Sequence, residues 1–305
     1  MDVTVAICTW NRAQSLDATL AHLCKLRVPP QTKWELVVIN NRSTDNTEEV
    51  IGRYNSLLPL RAVVEHQQGI SHSRNRVLAE AKGDLLLCID DDVLVDPDWL
   101  QAYQRAAADW PEAAYFGGNI EPLFESSPPA WILKNPQLVE APFAVRQLGH
   151  DTRPLDSSEM PFGANMAFRR RFLAGLSFDS TLGRVGAGFI SGDEIDLIRR
   201  LLQQGAKGVW VGSARVKHII PKERLTTGYI WNFFSGLAVA ELRLNGMPPG
   251  KRWFNMPRWM IKLYLESRIK SLIYTARKGS RWARAFRESA WTFGALRELV
   301  KTRNC

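Results

Sequence analysis

The sequence predicts an α/β fold, in which a doubly wound, mostly parallel sheet is followed by a helical C-terminal extension. Over the first 120 residues, apolar strand-like runs alternate with amphipathic segments of helix length, a pattern typical of parallel sheets with crossover helices. The 305 residues are 45% apolar, which suffices for a large core. Beyond residue 225 only helical patterns occur. We therefore predict a first domain of residues 1–225 and an extension of residues 226–305.

Four strand–helix pairs are predicted first. The strands are runs rich in β-branched and large apolar residues, and they comprise Val3–Thr9, Trp34–Ile39, Leu60–Glu65 and Asp84–Ile89. Leucines at 16, 20 and 23 give the first helix, Ser15–Leu26, an apolar face. Asp45 and Glu48 form a capping box that starts the second helix. The third and fourth helices are Ser71–Ala81 and Pro97–Trp110, the latter with proline in its first turn.

The rest of the first domain is less regular. Seven prolines between 122 and 161 predict a long loop over residues 120–160, and loops of that length are often functional. A strand, Pro161–Arg169, follows it. Apolar residues at helical spacing predict the helix Asp193–Gln204, with Gly205 as its C-terminal cap. Two short strands, Val209–Val211 and Val216–Ile220, complete the domain.

Positive charge is concentrated in the extension. The chain has a formal net charge of +9, and residues 251–305 carry fourteen Lys or Arg against three acidic residues, which leaves residues 1–250 at −2. Within residues 258–276, basic residues flank a helical apolar stripe of Trp259, Met260, Leu263, Tyr264, Ile269, Leu272 and Ile273. Because basic amphipathic helices lie on anionic membrane surfaces, we expect such a surface as a partner. A core-packing helix with a solvated basic face is the alternative.

Nucleic-acid binding is the rival explanation of this charge, since basic tails contact phosphates. The Trp-rich stripe and the absence of a recognised nucleic-acid module argue against it. We expect no nucleic-acid partner.

The cysteines and the chain start favour a cytoplasmic protein. Cysteines stand at 8, 24, 88 and 305 without C-x-x-C spacing, so we interpret them as reduced, neither metal ligands nor disulfides. No positively charged region precedes the first apolar run, so no targeting segment is predicted. The longest nearly apolar stretch, Ile230 to Leu242, is interrupted by polar residues and is shorter than a bilayer crossing requires.

Three adjacent carboxylates, Asp90, Asp91 and Asp92, end the most hydrophobic predicted strand. Ligands of doubly wound sheets bind beyond the carboxyl ends of the strands, and a divalent cation is a common reason to gather like charges. An acidic surface turn is the alternative. Oxygen ligands suit Mn²⁺ or Mg²⁺, so we predict one of these ions as the cofactor.

Six segments in order resemble one enzyme family. They are VAICTWNR at 5–12, VINNRSTDNT at 38–47, GISHSRNR at 69–76, the aspartate triplet, FGANMAF at 162–168 and SGDEIDL at 191–197. Together they resemble the family-two inverting glycosyltransferases of the glycosyltransferase-A fold over residues 3–225. The resemblance implies a nucleotide-sugar-binding catalytic domain.

The resemblance also assigns site residues. It places Thr9, Arg12, Asn40, Arg74, Asp90, Asp91 and Gly163 at the nucleotide-sugar donor. Asp91 lies near the ribose in this assignment, Asp92 binds the metal, and His218 joins the metal site. Where this chain has Asn40, the family usually has an aspartate that accepts the uracil N3–H. The Asn carbonyl can still accept this hydrogen bond, more weakly because it is uncharged, so the departure leaves the base open. UDP remains the first choice of nucleotide, with dTDP and GDP open.

The pair Asp193-Glu194 begins a predicted helix, where acidic residues also occur simply because the helix dipole favours them. The family has a Glu-Asp pair at this place, and its second member is the catalytic base. Carried over by position, the base is Glu194, with Asp193 in reserve.

The predicted function is inverting, metal-dependent transfer of a sugar from a nucleoside-diphosphate donor to a hydroxyl of a glycan or lipid-linked acceptor. The resemblance and the basic extension place the protein at the inner face of the cell membrane. A nucleic-acid-binding protein and an inactive glycosyltransferase-like scaffold are the alternatives. A sugar nucleotidyltransferase would show a glycine-rich loop near the first strand, and residues 8–12 contain no glycine.

Overall fold

The structure is a computed structural model that describes residues 1–254 and 256–301. Contacts group the chain into two units. The first unit comprises Met1–Leu123, Ala144–Thr181 and Asp193–Ile219, and the second comprises Phe124–Phe143, Leu182–Gly192 and the chain from residue 220 onward. The predicted domain boundary at residue 225 stays a prediction.

A nine-stranded sheet forms the centre of the first unit, with the order β3-β2-β1-β4-β8-β6-β9-β5 and β7 paired to β9. Its strands are β1 Val3–Thr9, β2 Trp34–Asn40, β3 Leu60–Val64, β4 Leu85–Asp90, β5 Val93–Val95, β6 Ala113–Phe124, β7 Thr152–Pro154, β8 Asn165–Arg169 and β9 Lys207–Ile220. Strands β3, β2, β1 and β4 run parallel, whereas β8 pairs antiparallel with both β4 and β6. The predicted α/β fold is confirmed.

Helices cover both faces of the parallel strands. They are α1 Ala13–Leu23, α2 Thr47–Tyr54, α3 Ile70–Glu80, α4 Trp99–Asp109 and α6 Asp193–Gln203. Successive residues of β1, such as Val5 and Ala6, point to opposite faces, and both are buried. Residues of α1, α2 and α4 share one core with Val5, and residues of α3 and α6 share the other with Ala6. This two-sided burial explains the continuous apolar runs of these strands.

The proline-rich segment is more regular than predicted. Strand β6 reaches Phe124, α5 spans Ala130–Leu133, and β7 lies within the predicted loop. The sequence concealed β6 because Gly117-Gly118 interrupts its apolar run. The strand requires glycine at position 118, because a Cβ there would lie 2.4 Å from the carbonyl oxygen of Ala214.

Several other predicted boundaries differ from the structure, including that of the first helix, which spans Ala13–Leu23 rather than Ser15–Leu26. The two predicted strands after residue 209 form one strand, β9, whose exposed Ser213, Arg215 and Lys217 alternate with buried residues. Strand β8 begins at Asn165 rather than Pro161. Helix α2 begins at Thr47, whose backbone N–H donates to the Asp45 carboxylate at 3.2 Å.

Helices dominate the second unit, as predicted for the extension. Besides α5, it contains α7 Thr227–Asn245, α8 Arg258–Ile273 and α9 Ser280–Lys301, together with a hairpin of β10 Arg252–Trp253 and β11 Met256–Pro257. Helix α9 packs against both α7 and α8. Among the helices that the structure describes, none combines the length and apolar content that a bilayer crossing requires.

The described cysteines are free thiols, as predicted. Cys8 lies in β1 and Cys88 in β4. Burial raises the pKa of both thiols, that of Cys88 to about 12, so they stay protonated and unreactive. Cys305 lies outside the described residues.

Candidate active site

Polar side chains gather where the parallel strands end, an edge that we call the carboxyl edge. Thr9 at the end of β1 is the register partner of Asn40 at the end of β2, and Cys8 is the partner of Asp90 on β4. Because these strands are parallel neighbours, their final residues come together. The structure thus brings together the predicted donor residues Thr9 and Asn40 and the aspartate triplet.

Arg12 bridges two of the three aspartates. Its Nη1 donates to Asp91 Oδ1 at 2.8 Å and its Nη2 to Asp92 Oδ2 at 2.7 Å. Thr9 Oγ1 donates to Asp91 Oδ2 at 2.7 Å. Burial raises the pKa of Asp91 to about 6 even though Arg12 acts to lower it. Burial and the neighbouring charge of Asp92 also raise the pKa of Asp90.

Asp92 and His218 face each other at the same edge. Asp92 Oδ1 and His218 Nε2 lie 3.2 Å apart, and these side chains are 2% and 4% exposed. The backbone fixes this approach, because Val93 is the register partner of His218 and the Ile219 N–H donates to the Asp92 carbonyl at 2.8 Å.

This pair fits the predicted cation. Asp92 Oδ1 and His218 Nε2, 3.2 Å apart, are close enough to hold one divalent cation together. A carboxylate oxygen and an imidazole nitrogen both suit Mn²⁺. Within residues 1–254 and 256–301, no three His, Cys, Asp or Glu side chains converge as a complete metal cage. The remaining ligands would therefore come from water and a bound phosphate, as is usual for Mg²⁺.

A second cluster joins α3 to the start of α6. Arg74 Nη1 donates to both carboxylate oxygens of Asp193 at 2.8 Å, and Arg74 Nη2 donates to Glu194 Oε1 at 3.2 Å. Ser71, one turn before Arg74, donates its hydroxyl to Asp193 Oδ2 at 3.0 Å. One guanidinium therefore holds both members of the predicted catalytic pair.

The two carboxylates have different surroundings. The Asp193 side chain is 1% exposed, whereas that of Glu194 is 15% exposed. Burial raises the pKa of Asp193. Burial also acts to raise the pKa of Glu194, but Arg74 and hydrogen bonding outweigh it, so the net pKa is lowered. Glu194 is therefore the more accessible member of the pair.

The lack of a side chain at Gly163 leaves room for Arg74 and Glu194 in this cluster. A Cβ at this position would lie 2.4 Å from Arg74 Nη2 and 2.7 Å from Glu194 Oε1. Any side chain would displace the guanidinium or the carboxylate. The structure thus gives a reason for glycine here that involves Arg74 and Glu194, whereas the predicted contact of Gly163 with the donor stays a prediction.

The family model of glycosyl transferase family 2 matches residues 4–175, more than half of the chain. The chain belongs to glycosyl transferase family 2. The matched span contains the carboxyl edge up to Asp92 together with Arg74 and Gly163, whereas Asp193, Glu194 and His218 lie beyond it.

One relative and two solved structures are similar to this family 2 protein. A glucosyl-dolichyl phosphate glucuronosyltransferase of Haloferax volcanii is 25% identical over 245 residues, which cover 77% of this chain and 74% of the relative. A mannosyltransferase of Pyrobaculum calidifontis, solved with GDP-Man and Mn²⁺, has a TM-score of 0.64 and 16% identity, covering 98% of this chain and 86% of that one. TarS residues 1–349 of S. aureus, solved with UDP, has a TM-score of 0.57 and 17% identity, with coverages of 98% and 91%. At these identities, the two structures show the shared fold.

In this family 2 protein, the side chain of Asn40 forms a hydrogen bond within its own loop. Its Oδ1 accepts the backbone N–H of Ser43 at 2.9 Å, and the residue is 8% exposed. One lone pair of the carbonyl is thus occupied, and the amide N–H groups are donors. An imino N–H of a base would have to share this oxygen with Ser43.

Sequence reasoning missed three residues that support the family 2 site. Ser71 binds Asp193, as described above, and its signal is the spacing of three residues from Arg74 on one helix. Phe178 packs its ring 5.7 Å from the Arg74 guanidinium carbon. Asn75 holds Phe178 in place by accepting its N–H at 2.7 Å and donating to its carbonyl at 2.9 Å. No local sequence pattern connects Asn75 with a residue 103 positions away.

Proposed function

We propose that this family 2 protein transfers a sugar from a nucleoside-diphosphate donor, with UDP as the first choice, to a hydroxyl of its acceptor with inversion at the anomeric carbon. The observation that carries the proposal is the 3.2 Å approach of Asp92 and His218 at the carboxyl edge. A buried carboxylate–imidazole pair at the edge where the donor phosphates would bind is suited to a divalent cation.

In the proposed reaction, Glu194 takes the proton of the acceptor hydroxyl. The hydroxyl oxygen forms a bond to the anomeric carbon from the face opposite the diphosphate, while the bond from that carbon to the diphosphate oxygen breaks. A carboxylate within reach of the hydroxyl suffices as general base. Arg74 orients Glu194 by its 3.2 Å hydrogen bond, and Asp193 anchors Arg74.

Asp92 and His218 would hold the divalent cation, Mn²⁺ or Mg²⁺. Such a cation supplies positive charge that stabilises the leaving diphosphate. Arg12 keeps Asp91 and Asp92 side by side through its two donated hydrogen bonds. Its guanidinium lowers the repulsion between these carboxylates before any ligand binds.

The acceptor that we propose is a glycan or a lipid-linked sugar, as used in polysaccharide biosynthesis. The relative from Haloferax volcanii supports the second choice, because it is named as a transferase that acts on a glucosyl-dolichyl phosphate. We place the protein in the cytoplasm, at the inner face of the membrane, where free thiols such as Cys8 and Cys88 persist.

Thermal unfolding with nucleotides tests the proposed function. We expect UDP together with Mn²⁺ to raise the unfolding temperature, because a ligand at 100 times its Kd stabilises the native state by about 2.7 kcal/mol. Asp92→Asn should lose the Mn²⁺-dependent part of this shift. Asp96→Asn is the matched control, since Asp96 pairs with the exposed Arg215, and it should keep the shift. No shift with UDP, dTDP, GDP or CMP, with or without Mn²⁺, would refute the proposed donor site.

Asn40→Asp tests the choice of base. A carboxylate keeps one oxygen for the Ser43 N–H and offers a charged oxygen to the uracil imino N–H. We therefore expect UDP affinity to rise by about fivefold to tenfold, the effect of about 1 kcal/mol for a charged acceptor. Cytidine nucleotides lack that imino proton and should bind no better. Isothermal titration of both nucleotides to both proteins gives the comparison, and equal gains for both would show that residue 40 does not contact the base.

A further inference from the structure

Helix α8 exposes its large apolar side chains and buries its serines. Leu265, Ile269, Leu272 and Ile273 are between 54% and 67% exposed, whereas Ser267 and Ser271 are 2% and 3% exposed. We call these four apolar residues the apolar ridge. Globular proteins normally place such side chains inside and serines outside. The helix therefore presents to solvent the face that would ordinarily form a core.

The spacing of the ridge makes it continuous. Leu265, Ile269 and Leu272 follow one another at four and three residues, so they lie in one row along the helix. The stripe predicted from the sequence is divided in the structure, because Met260 is fully buried and Leu263 and Tyr264 are half-buried. Only its last members, from Ile269 onward, belong to the ridge, and Leu265 is an addition.

Three exposed aromatic side chains stand at the beginning of α8. Trp253 and Phe254, in the hairpin before the helix, are 59% and 63% exposed, and their ring centroids lie 5.8 Å apart. Trp259, in the first turn of α8, is 43% exposed and donates its indole N–H to the Pro249 carbonyl at 3.0 Å. We call these three the aromatic tip. Aromatic rings of this kind are favoured at the boundary between lipid and water.

The charge around the ridge is predominantly positive. Residues 251–278 contain eight Lys or Arg and a single acidic residue, Glu266. Glu266 lies between Lys262 and Lys270, whose Nζ atoms are 3.8 and 4.0 Å from its carboxylate. Both lysines are more than half exposed. The segment therefore combines exposed apolar side chains with a strong excess of exposed positive charge.

We propose that the apolar ridge and the aromatic tip bind the surface of an anionic lipid bilayer, with α8 lying in the interface. Apolar side chains would enter the boundary between headgroups and acyl chains, while lysines and arginines attract anionic headgroups. A second copy of the chain is a poorer occupant, because it would bring an equal excess of positive charge to the same face. This inference does not depend on the catalytic assignments.

Vesicle partitioning of the full chain tests the proposal. The probes are phosphatidylcholine vesicles with and without about 30% phosphatidylglycerol, at low and high salt. The variant L265Q/I269Q/L272Q removes most of the ridge without touching a buried residue. The control L57Q/L133Q/V185Q changes three apolar residues that are 53–65% exposed elsewhere. Circular dichroism and thermal unfolding verify that both variants fold.

We expect the unaltered chain to bind the anionic vesicles and to be released by salt. The ridge variant should lose binding by about tenfold or more, since each lost aliphatic contact weakens partitioning, and the control should stay within twofold. Absence of binding to anionic vesicles would overturn the proposal, as would equal binding of the two variants. Sedimentation velocity tests whether a second copy of the chain binds the ridge instead. A dimer that dissociates in the ridge variant, without vesicle binding, would assign the ridge to self-association.

Discussion

Replacement of Glu194 by glutamine is expected to lower kcat by about 10³-fold while the donor affinity stays within a few-fold. General base catalysis by a positioned carboxylate contributes about 10²–10⁴, and glutamine accepts no proton at neutral pH. The substitution keeps the size of the side chain and its hydrogen bond from Arg74 Nη2, which is 3.2 Å long in the unaltered protein. Donor binding should therefore survive.

Release of UDP from a UDP-sugar without an added acceptor measures this effect, because water then takes the place of the acceptor hydroxyl. The anomeric configuration of the released sugar, read by NMR immediately after cleavage, tests inversion in the same reaction. Asp196→Asn is the matched control. Asp196 lies on the same helix but pairs with Arg200 at 2.7 Å, so its replacement should change kcat by less than about twofold, as is usual for surface positions.

The alternative base is Asp193. If Glu194→Gln keeps its turnover and Asp193→Asn loses it, the base is Asp193 and the assignment by position is wrong. The burial of Asp193 and its bidentate bond to Arg74 argue against that outcome. A carboxylate whose two oxygens are already occupied by a guanidinium has little freedom to receive a proton from an acceptor.

Local patterns in the sequence suffice to predict the parallel half of the fold. Strands β1, β2 and β4 are buried on both faces, so their apolar runs are unbroken and their ends are easy to locate. Because ligands bind beyond the ends of parallel strands, the aspartate triplet could be placed at the binding edge from its position alone, whereas Thr9 and Asn40 were assigned through the resemblance to the family. The antiparallel strands gave weaker signals. Strand β6 contains a Gly-Gly pair, and its second glycine, Gly118, is required by a contact with Ala214, 96 residues later in the chain.

The features that could not be predicted depend on contacts between residues that lie far apart in the sequence. Arg74 and Asp193 are separated by 119 residues, and no local rule says that a helix N-terminus and an arginine one turn into another helix will meet. The same limit applies to α8. Its periodicity predicts an apolar stripe, but which face packs depends on neighbours such as α9, and the face that is buried carries Ser267 and Ser271.

Arg74→Met should lower the free energy of unfolding by about 3–5 kcal/mol near pH 8. Removal of one partner from a buried ion pair leaves an uncompensated buried charge, and here two carboxylates depend on the same guanidinium. Arg200→Met is the matched control on α6. Its partner Asp196 is 21% exposed and Arg200 itself 31%, so we expect a loss under about 1 kcal/mol, as for surface ion pairs.

The loss of stability in Arg74→Met should increase with pH. Burial raises the pKa of Asp193 to about 7 even with Arg74 present, and removal of the guanidinium raises it further. A folded state with a raised carboxyl pKa binds more protons than the unfolded state, so the stability of Arg74→Met should fall as pH rises above the unfolded value near 4. The deficit relative to the unaltered protein should therefore shrink as pH falls from 8 to 5.

Urea unfolding at pH 5 and pH 8 measures the deficit, and the double variant Arg74→Met/Asp193→Asn identifies its origin. If repulsion between Asp193 and Glu194 causes the loss, neutralising Asp193 should recover about 1–3 kcal/mol, the usual range of coupling between contacting residues. A deficit that is equal at both pH values, with no recovery in the double variant, would instead assign the loss to the packing of Arg74 against Phe178. The carboxylates would then tolerate each other without the guanidinium, and the positioning role of Arg74 for Glu194 would be untenable.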